Sequence, residues 1–127
     1  MKIIPLSEGT FTIDKTKIFV SFELDKDELQ QRPIGSLLVE VQPFVVITKN
    51  DVILIDTGLG FSNNGMLQLH QNHINNGIQP TAVTKDLMSH LHKDHAGGVS
   101  KRDHIGNYTL SCPNAIYYVQ EQEFVYA

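Results

Sequence analysis

The chain has 127 residues, 41% of them apolar and 19% charged, with a formal net charge of -4. That length suits one domain with a true core, or one piece of a domain, and is too short for two; the composition is that of a folding globular chain and excludes a disordered one. Acids and bases are interspersed, with no Lys/Arg run to neutralise a row of phosphates, so neither nucleic acid nor an anionic membrane is an expected partner.

The N-terminal MKIIPLSEGTFTIDK holds no apolar run long enough for a signal peptide, and nowhere do ~18 apolar residues run together, so a cytoplasmic protein is expected. Short β-favouring runs follow one another at 2–7, 9–14 and 17–22. Residues 21–36, polar and carrying Pro33 and Gly35, read as a loop with one helical turn. Val45–Ile47 and Val52–Ile55 flank a turn at Asn50-Asp51 and pair as a hairpin. The second of these runs is apolar at consecutive positions and should be covered on both faces.

Beyond Gly60, Asn63 or Asn64 is the expected N-cap of a helix of about ten residues that carries Met66, Leu67, Leu69 and Ile74 and ends at Asn76-Gly77. His70 and His73 lie on it, and with Gln and Asn neighbours they read as part of a solvated face without a role. TAVTKDLMSH, 81–90, reads as a strand, and AIYYV, 115–119, as a last strand before the helix-like start EQEFVYA, 121–127. Cys112 is the single cysteine; it excludes an internal disulfide and a multi-cysteine zinc site and reads as a small buried hydrophobe.

The densest chemistry lies in SHLHKDHAGG, 89–98, with three histidines and an aspartate within six positions. His90 and His92 are two apart, which puts both on one side of an extended backbone and on opposite sides of a helix. A turn immediately after them would swing Asp94 and His95 toward the same cavity, and Gly97-Gly98 allow a tight bend and a close backbone approach. Imidazole and carboxylate are ligands for zinc, iron or manganese. The spacing separates them into two sets, His90 with His92 and Asp94 with His95, as a two-metal site would require.

HLHKDH resembles the His-x-His-x-Asp-His signature of the metallo-β-lactamase fold superfamily, and ILIDTGLG, 53–60, resembles its earlier Asp-Thr-Gly strand end. The segment CPNAIYYVQEQEF, 112–124, is similar to the Pro-Asn-Ala strand and acidic, aromatic helix start of lactonase-like and parathion-hydrolase-like members. The resemblance implies that His90 and His92 bind one metal and Asp94 and His95 a second, with Asp94 also holding a metal-bound hydroxide and so acting as the catalytic carboxylate. It implies an orienting role for Asp56 next to the ligands.

The fold so implied is an α+β, αββα sandwich, of which residues 1–127 would form one incomplete domain. This N-terminal half would be a mostly antiparallel sheet with helices on one face. The later ligands of the family pattern have no counterpart here; His104 is the one histidine after His95 and lies in a polar stretch. The expectation is a metal-dependent hydrolase of a lactone, ester, thioester or organophosphate, a small-molecule substrate in each case. The intact protein would hold two divalent ions, zinc foremost with manganese or iron as alternatives, and this chain would be a truncated piece with partial or no occupancy. An iron-dependent oxidoreductase of the same fold, or a non-catalytic self-associating fragment, are the alternatives. The half-sandwich is expected to expose an apolar face around Leu54 and Val119 and to self-associate or domain-swap through it.

Overall fold

A computed structural model of the chain describes residues 1–126. Strands β1 (Lys2–Pro5), β2 (Gly9–Ile13), β3 (Val20–Ser21), β4 (Leu37–Val41), β5 (Phe44–Ile47) and β6 (Val52–Ile55) fill the first half. They are followed by β7 (Ser62–Asn63), β8 (Met66–Leu67), helix α1 (Gln68–Asn75), β9 (Lys85–Leu87) and the one-turn helix α2 (Lys93–Ala96). Strands β10 (Ser100–Arg102), β11 (Tyr108–Leu110) and β12 (Ile116–Tyr118) and helix α3 (Glu121–Tyr126) complete the order. Ala127, the last position of the helix-like stretch, lies outside the described residues.

The central five-stranded sheet has the order β1-β5-β6-β9-β12, beside a three-stranded sheet, β3-β2-β4, and two two-stranded ribbons. Pairing is mostly antiparallel, as expected for the α+β class, but β9 and β12 run parallel to β6. The expected hairpin forms, with Phe44 opposite Ile55 and Ile47 opposite Val52.

Register explains the core. Ile4, Val45 and Leu54 stand side by side across β1, β5 and β6, and the same row continues through Asp86 of β9 to Tyr117 of β12. Against this face α1 places Leu69, joined by Leu67, Ile78, Val83 and the buried Cys112. Each fully buried leucine here contributes about 2–3 kcal/mol relative to an exposed one. Asp86 is the exception in the row: it is fully buried, neither carboxyl oxygen has a partner, and burial, helped by the charge of Asp56, pushes its pKa up to about 7.

Alternate residues of the same strands form the opposite face, where Ile3, Leu87, Ile116 and Tyr118 are exposed. The expected apolar face is therefore present at these positions and at Val119, but Leu54 points the other way and is fully buried.

Four local expectations change. Asn64 and Gly65 both have positive φ and turn the β7–β8 ribbon, the geometry that the right-handed strand twist favours, so α1 starts only at Gln68. Its end agrees with expectation, with Gly77 at positive φ and the Ile78 N–H returning to the His73 carbonyl. His70 and His73 are not solvated: both are buried, His70 Nε2 donates to the Ser111 carbonyl at 2.6 Å and His73 Nδ1 to that of Leu69 at 2.7 Å. Burial lowers the pKa of both, so they stay neutral. In 81–90 only Lys85–Leu87 are strand, because Pro80–Ala82 form a 3-10 turn, and the run at 17–22 keeps only Val20–Ser21.

Candidate metal centre

Strand β9 ends at Leu87, and the next residues bring SHLHKDH to the end of the sheet beside the loop that follows β6. His92 is the N-cap of α2, in extended geometry, and the His95 and Ala96 N–H groups return to its carbonyl. This single turn folds the motif on itself. The His90 and His95 rings lie 3.9 Å apart and those of His90 and His92 4.7 Å apart, centroid to centroid. His90, Asp94 and His95 are half-buried and His92 is exposed.

Asp56 organises the cluster. Its backbone is left-handed, with φ of 63°, which turns the carboxylate out of β6 toward the motif. There Oδ1 accepts the Ser89 N–H at 2.7 Å, and Oδ2 accepts the Ser89 hydroxyl at 2.7 Å and the His95 Nδ1–H at 2.8 Å. Since the Ser89 proton goes to the carboxylate, the 3.0 Å contact from Ser89 Oγ to His90 Nδ1 is a donation by the ring. Both His90 and His95 thus carry their proton on Nδ1 and leave the Nε2 lone pair free, the tautomer a metal ligand needs.

His95 Nε2 and Asp94 Oδ2 are 3.3 Å apart. Two donors about 2.1 Å from one tetrahedral ion are about 3.4 Å apart, so this pair fits a shared ion. The fit is by pairs and not by a closed shell: among the described residues no group of three or more His, Cys, Asp or Glu side chains is placed to chelate one ion.

The backbone beneath the cluster is equally specific. The Thr57 N–H and hydroxyl both donate to the His95 carbonyl, at 2.7 and 3.0 Å, and Thr57 Oγ1 accepts the Gly98 N–H at 3.2 Å. A methyl group on Gly60 would strike the Gly97 carbonyl, one on Gly97 the Leu59 carbonyl, and one on Gly98 the Thr57 carbonyl. The two loops therefore touch backbone to backbone, which only glycine permits.

The sequence profile of the Metallo-beta-lactamase superfamily matches residues 38–124, a span that includes both loops and the whole donor cluster. The chain belongs to the metallo-β-lactamase superfamily. Three solved structures of comparable fold cover 98% of this metallo-β-lactamase-type chain. They are AidC, described as a dizinc quorum-quenching lactonase (23% identity, TM-score 0.68), the hydrolase AbOPH of the beta lactamase superfamily (26%, 0.69), and a probable metal-dependent hydrolase from Staphylococcus aureus (23%, 0.68). The chain spans 43% of the length of AidC and of AbOPH and 48% of that of the Staphylococcus aureus protein. No curated protein matches it.

Of the residues singled out in the sequence, His90, His92, Asp94, His95 and Asp56 come together, whereas His104 lies exposed in the β10–β11 turn. Ser89 and Thr57 were given no role; Thr57 is the middle residue of the Asp-Thr-Gly stretch, whereas Ser89 is signalled only by its hydroxyl beside His90.

Two recesses open on this metallo-β-lactamase-type cluster. One, of about 240 Å³, is lined by Asp56, Asp94 and His95 together with Glu40–Phe44. The other, of about 500 Å³, is lined by Ile13, Phe19, Leu91, His92 and Asp94, with Lys17 and Lys93 at its wall. Lys17 also has a left-handed backbone, φ 61°, an uncommon state for a residue other than glycine.

No helix among the described residues is long and apolar enough to cross a membrane.

Proposed function

We propose that the intact protein is a metal-dependent hydrolase acting on a lactone, ester, thioester or organophosphate that carries an apolar group. The observation that carries this reading is the pair His95 Nε2 and Asp94 Oδ2, 3.3 Å apart, with the His95 proton fixed on the far nitrogen by Asp56. His90 and His92 would hold one ion and Asp94 and His95 a second, with zinc the first candidate. When bound, the ions supply polarisation of a carbonyl or phosphoryl oxygen and activation of a water at neutral pH.

The chain's own groups do the rest. Asp56 holds the Nδ1 proton of His95, and Ser89 relays that restraint to His90. Ile13, Phe19 and Leu91 provide an apolar seat next to His92 and Asp94, which supports a substrate with an acyl or aryl part. Asp94 is the carboxylate to which this reading gives the catalytic role, and it serves only while ionised. The hydrolase description of AbOPH, at 26% identity, agrees with this reading.

The test is hydrolysis of a lactone, an aryl ester, a thioester and a phosphotriester by the complete zinc-loaded protein and its Asp94→Asn form. A loss of at least about 100-fold is expected, from 1.36 kcal/mol per tenfold and the removal of a charged ligand. Hydrolysis at the wild-type rate by the Asn form would end the assignment.

For the 127-residue chain by itself, a second reading rests on the exposed row Ile3, Leu87, Ile116 and Tyr118: a non-catalytic module that self-associates or domain-swaps through that face. Concentration-dependent mass in solution is its measurement.

A further inference from the structure

Glu8 lies outside the donor cluster, in the connection between β1 and β2, yet it is a buried acid, 8% exposed. Its main chain is anchored on two other elements. The Glu8 N–H donates to the Val41 carbonyl of β4 at 2.8 Å, and Asn72 of α1 donates its side-chain amide to the preceding carbonyl of Ser7 at 3.0 Å. From this fixed base the side chain turns inward. Oε1 accepts the Leu59 N–H at 2.8 Å, and the carboxyl packs on Gly58, whose φ is 76° and where an added methyl would strike all three carboxyl atoms.

Oε2 has no partner. A half-satisfied buried carboxyl costs free energy, and nothing in the β1–β2 connection itself calls for one. What it reaches is the far side of the loop 56–60. The near side of that loop grips His95 twice, through Thr57 on its carbonyl and Asp56 on its ring. Leu59 and Gly60 also press on Gly97. The loop thus lies between Glu8 and the metal motif, and a shift at Leu59 would pass directly to Thr57 and Asp56.

We propose that Glu8 is a positioning residue: it braces the 56–60 loop from behind and so sets the orientation of His95 toward a metal ion. The inference rests on the metal reading above, although the bracing itself does not. Burial pushes the Glu8 pKa up to about 7, consistent with a carboxyl enclosed by that loop.

The experiment compares the wild-type chain with Glu8→Gln, which keeps the acceptor for Leu59, and with Glu8→Ala and Glu8→Asp, which remove or withdraw it. Two readouts are taken: the visible spectrum and affinity of cobalt(II), with zinc competition, and hydrogen exchange of the Thr57 amide in the metal-free chain. Glu8→Ala and Glu8→Asp are expected to weaken cobalt binding and to speed Thr57 exchange, each about tenfold, with Glu8→Gln restoring both to within about threefold. If Glu8→Ala does not fold, Glu8→Asp decides. Thr57 exchange unchanged in the folded variants, or a lower melting temperature with the same cobalt spectrum, overturns the proposal. Should the wild type take up no cobalt, the metal reading falls, and Thr57 exchange still decides whether Glu8 braces the loop.

Discussion

The His95 ring donates from Nδ1 to Oδ2 of Asp56 across 2.8 Å, although 39 positions separate the two residues. Asp56 is encircled by donors, two from Ser89 and one from His95. An asparagine in its place would keep the left-handed backbone, which that residue type tolerates, but would set an amide N–H₂ against one of those donors. Asp56→Asn is therefore expected to lower zinc affinity by about 10–100-fold while the chain still folds. Competition against a chromophoric chelator measures this, and wild-type affinity in the substituted form would show that Asp56 does not orient His95.

The contact between the loops 57–60 and 97–98 leaves no room for a side chain. Gly97→Ala, at a position with ordinary helical φ, isolates the steric effect from any backbone preference. It is expected to destabilise the chain by about 3 kcal/mol, read from urea unfolding. A loss below about 0.5 kcal/mol would mean that the loops separate easily.

Asp86 predicts a pH dependence of stability. In the folded chain its carboxyl keeps its proton up to about pH 7, against an ordinary value of 3.8. Folding therefore holds an extra proton between those values, and the stability tied to neutral Asp86 is complete below about pH 3.8 and lost as pH rises through about 7. Buried His70 and His73 act in the opposite sense, since their lowered pKa costs stability as pH falls below 6.5. Asp86→Val, which continues the apolar row, should raise stability by about 2 kcal/mol at pH 8 and by less at pH 5. Equal gains at both pH values would contradict the titration of Asp86.

Self-association is expected to run through the exposed row. Ile3→Lys with Ile116→Lys puts two charges on that face without touching the Leu54 side of the sheet. Sedimentation should show association in the wild type weakened at least about tenfold in the double variant, 1.4 kcal/mol being a factor of ten. Identical behaviour of the two would place the contact elsewhere.

The hairpin 44–55 was legible because two β-branched runs flank Asn50-Asp51, and the cluster at 90–95 because six positions carry four imidazole or carboxylate side chains. Asn64-Gly65 carried an equally plain hairpin signal, masked by the helical spacing of the residues after it. The buried state of His70 and His73 was hidden because α1, QLHQNHIN, has only Leu69 and Ile74 as apolar residues, five positions apart, so periodicity does not tell which face meets the sheet. Glu8 carries no signal in the sequence, since only the tertiary approach of Gly58 and Leu59 gives it a partner. Asp86 was equally unreadable, because its inward direction follows from register with Leu54 and Tyr117.

The most direct test of the central claim, that His90, His92, Asp94 and His95 are metal donors, is a zinc titration of the purified chain, with His90→Ala and Asp94→Ala forms titrated alongside. Saturable uptake in the wild type that falls at least about tenfold in each variant, with folding retained, is the result this account predicts. Absence of saturable uptake, or uptake indifferent to both substitutions, would contradict it.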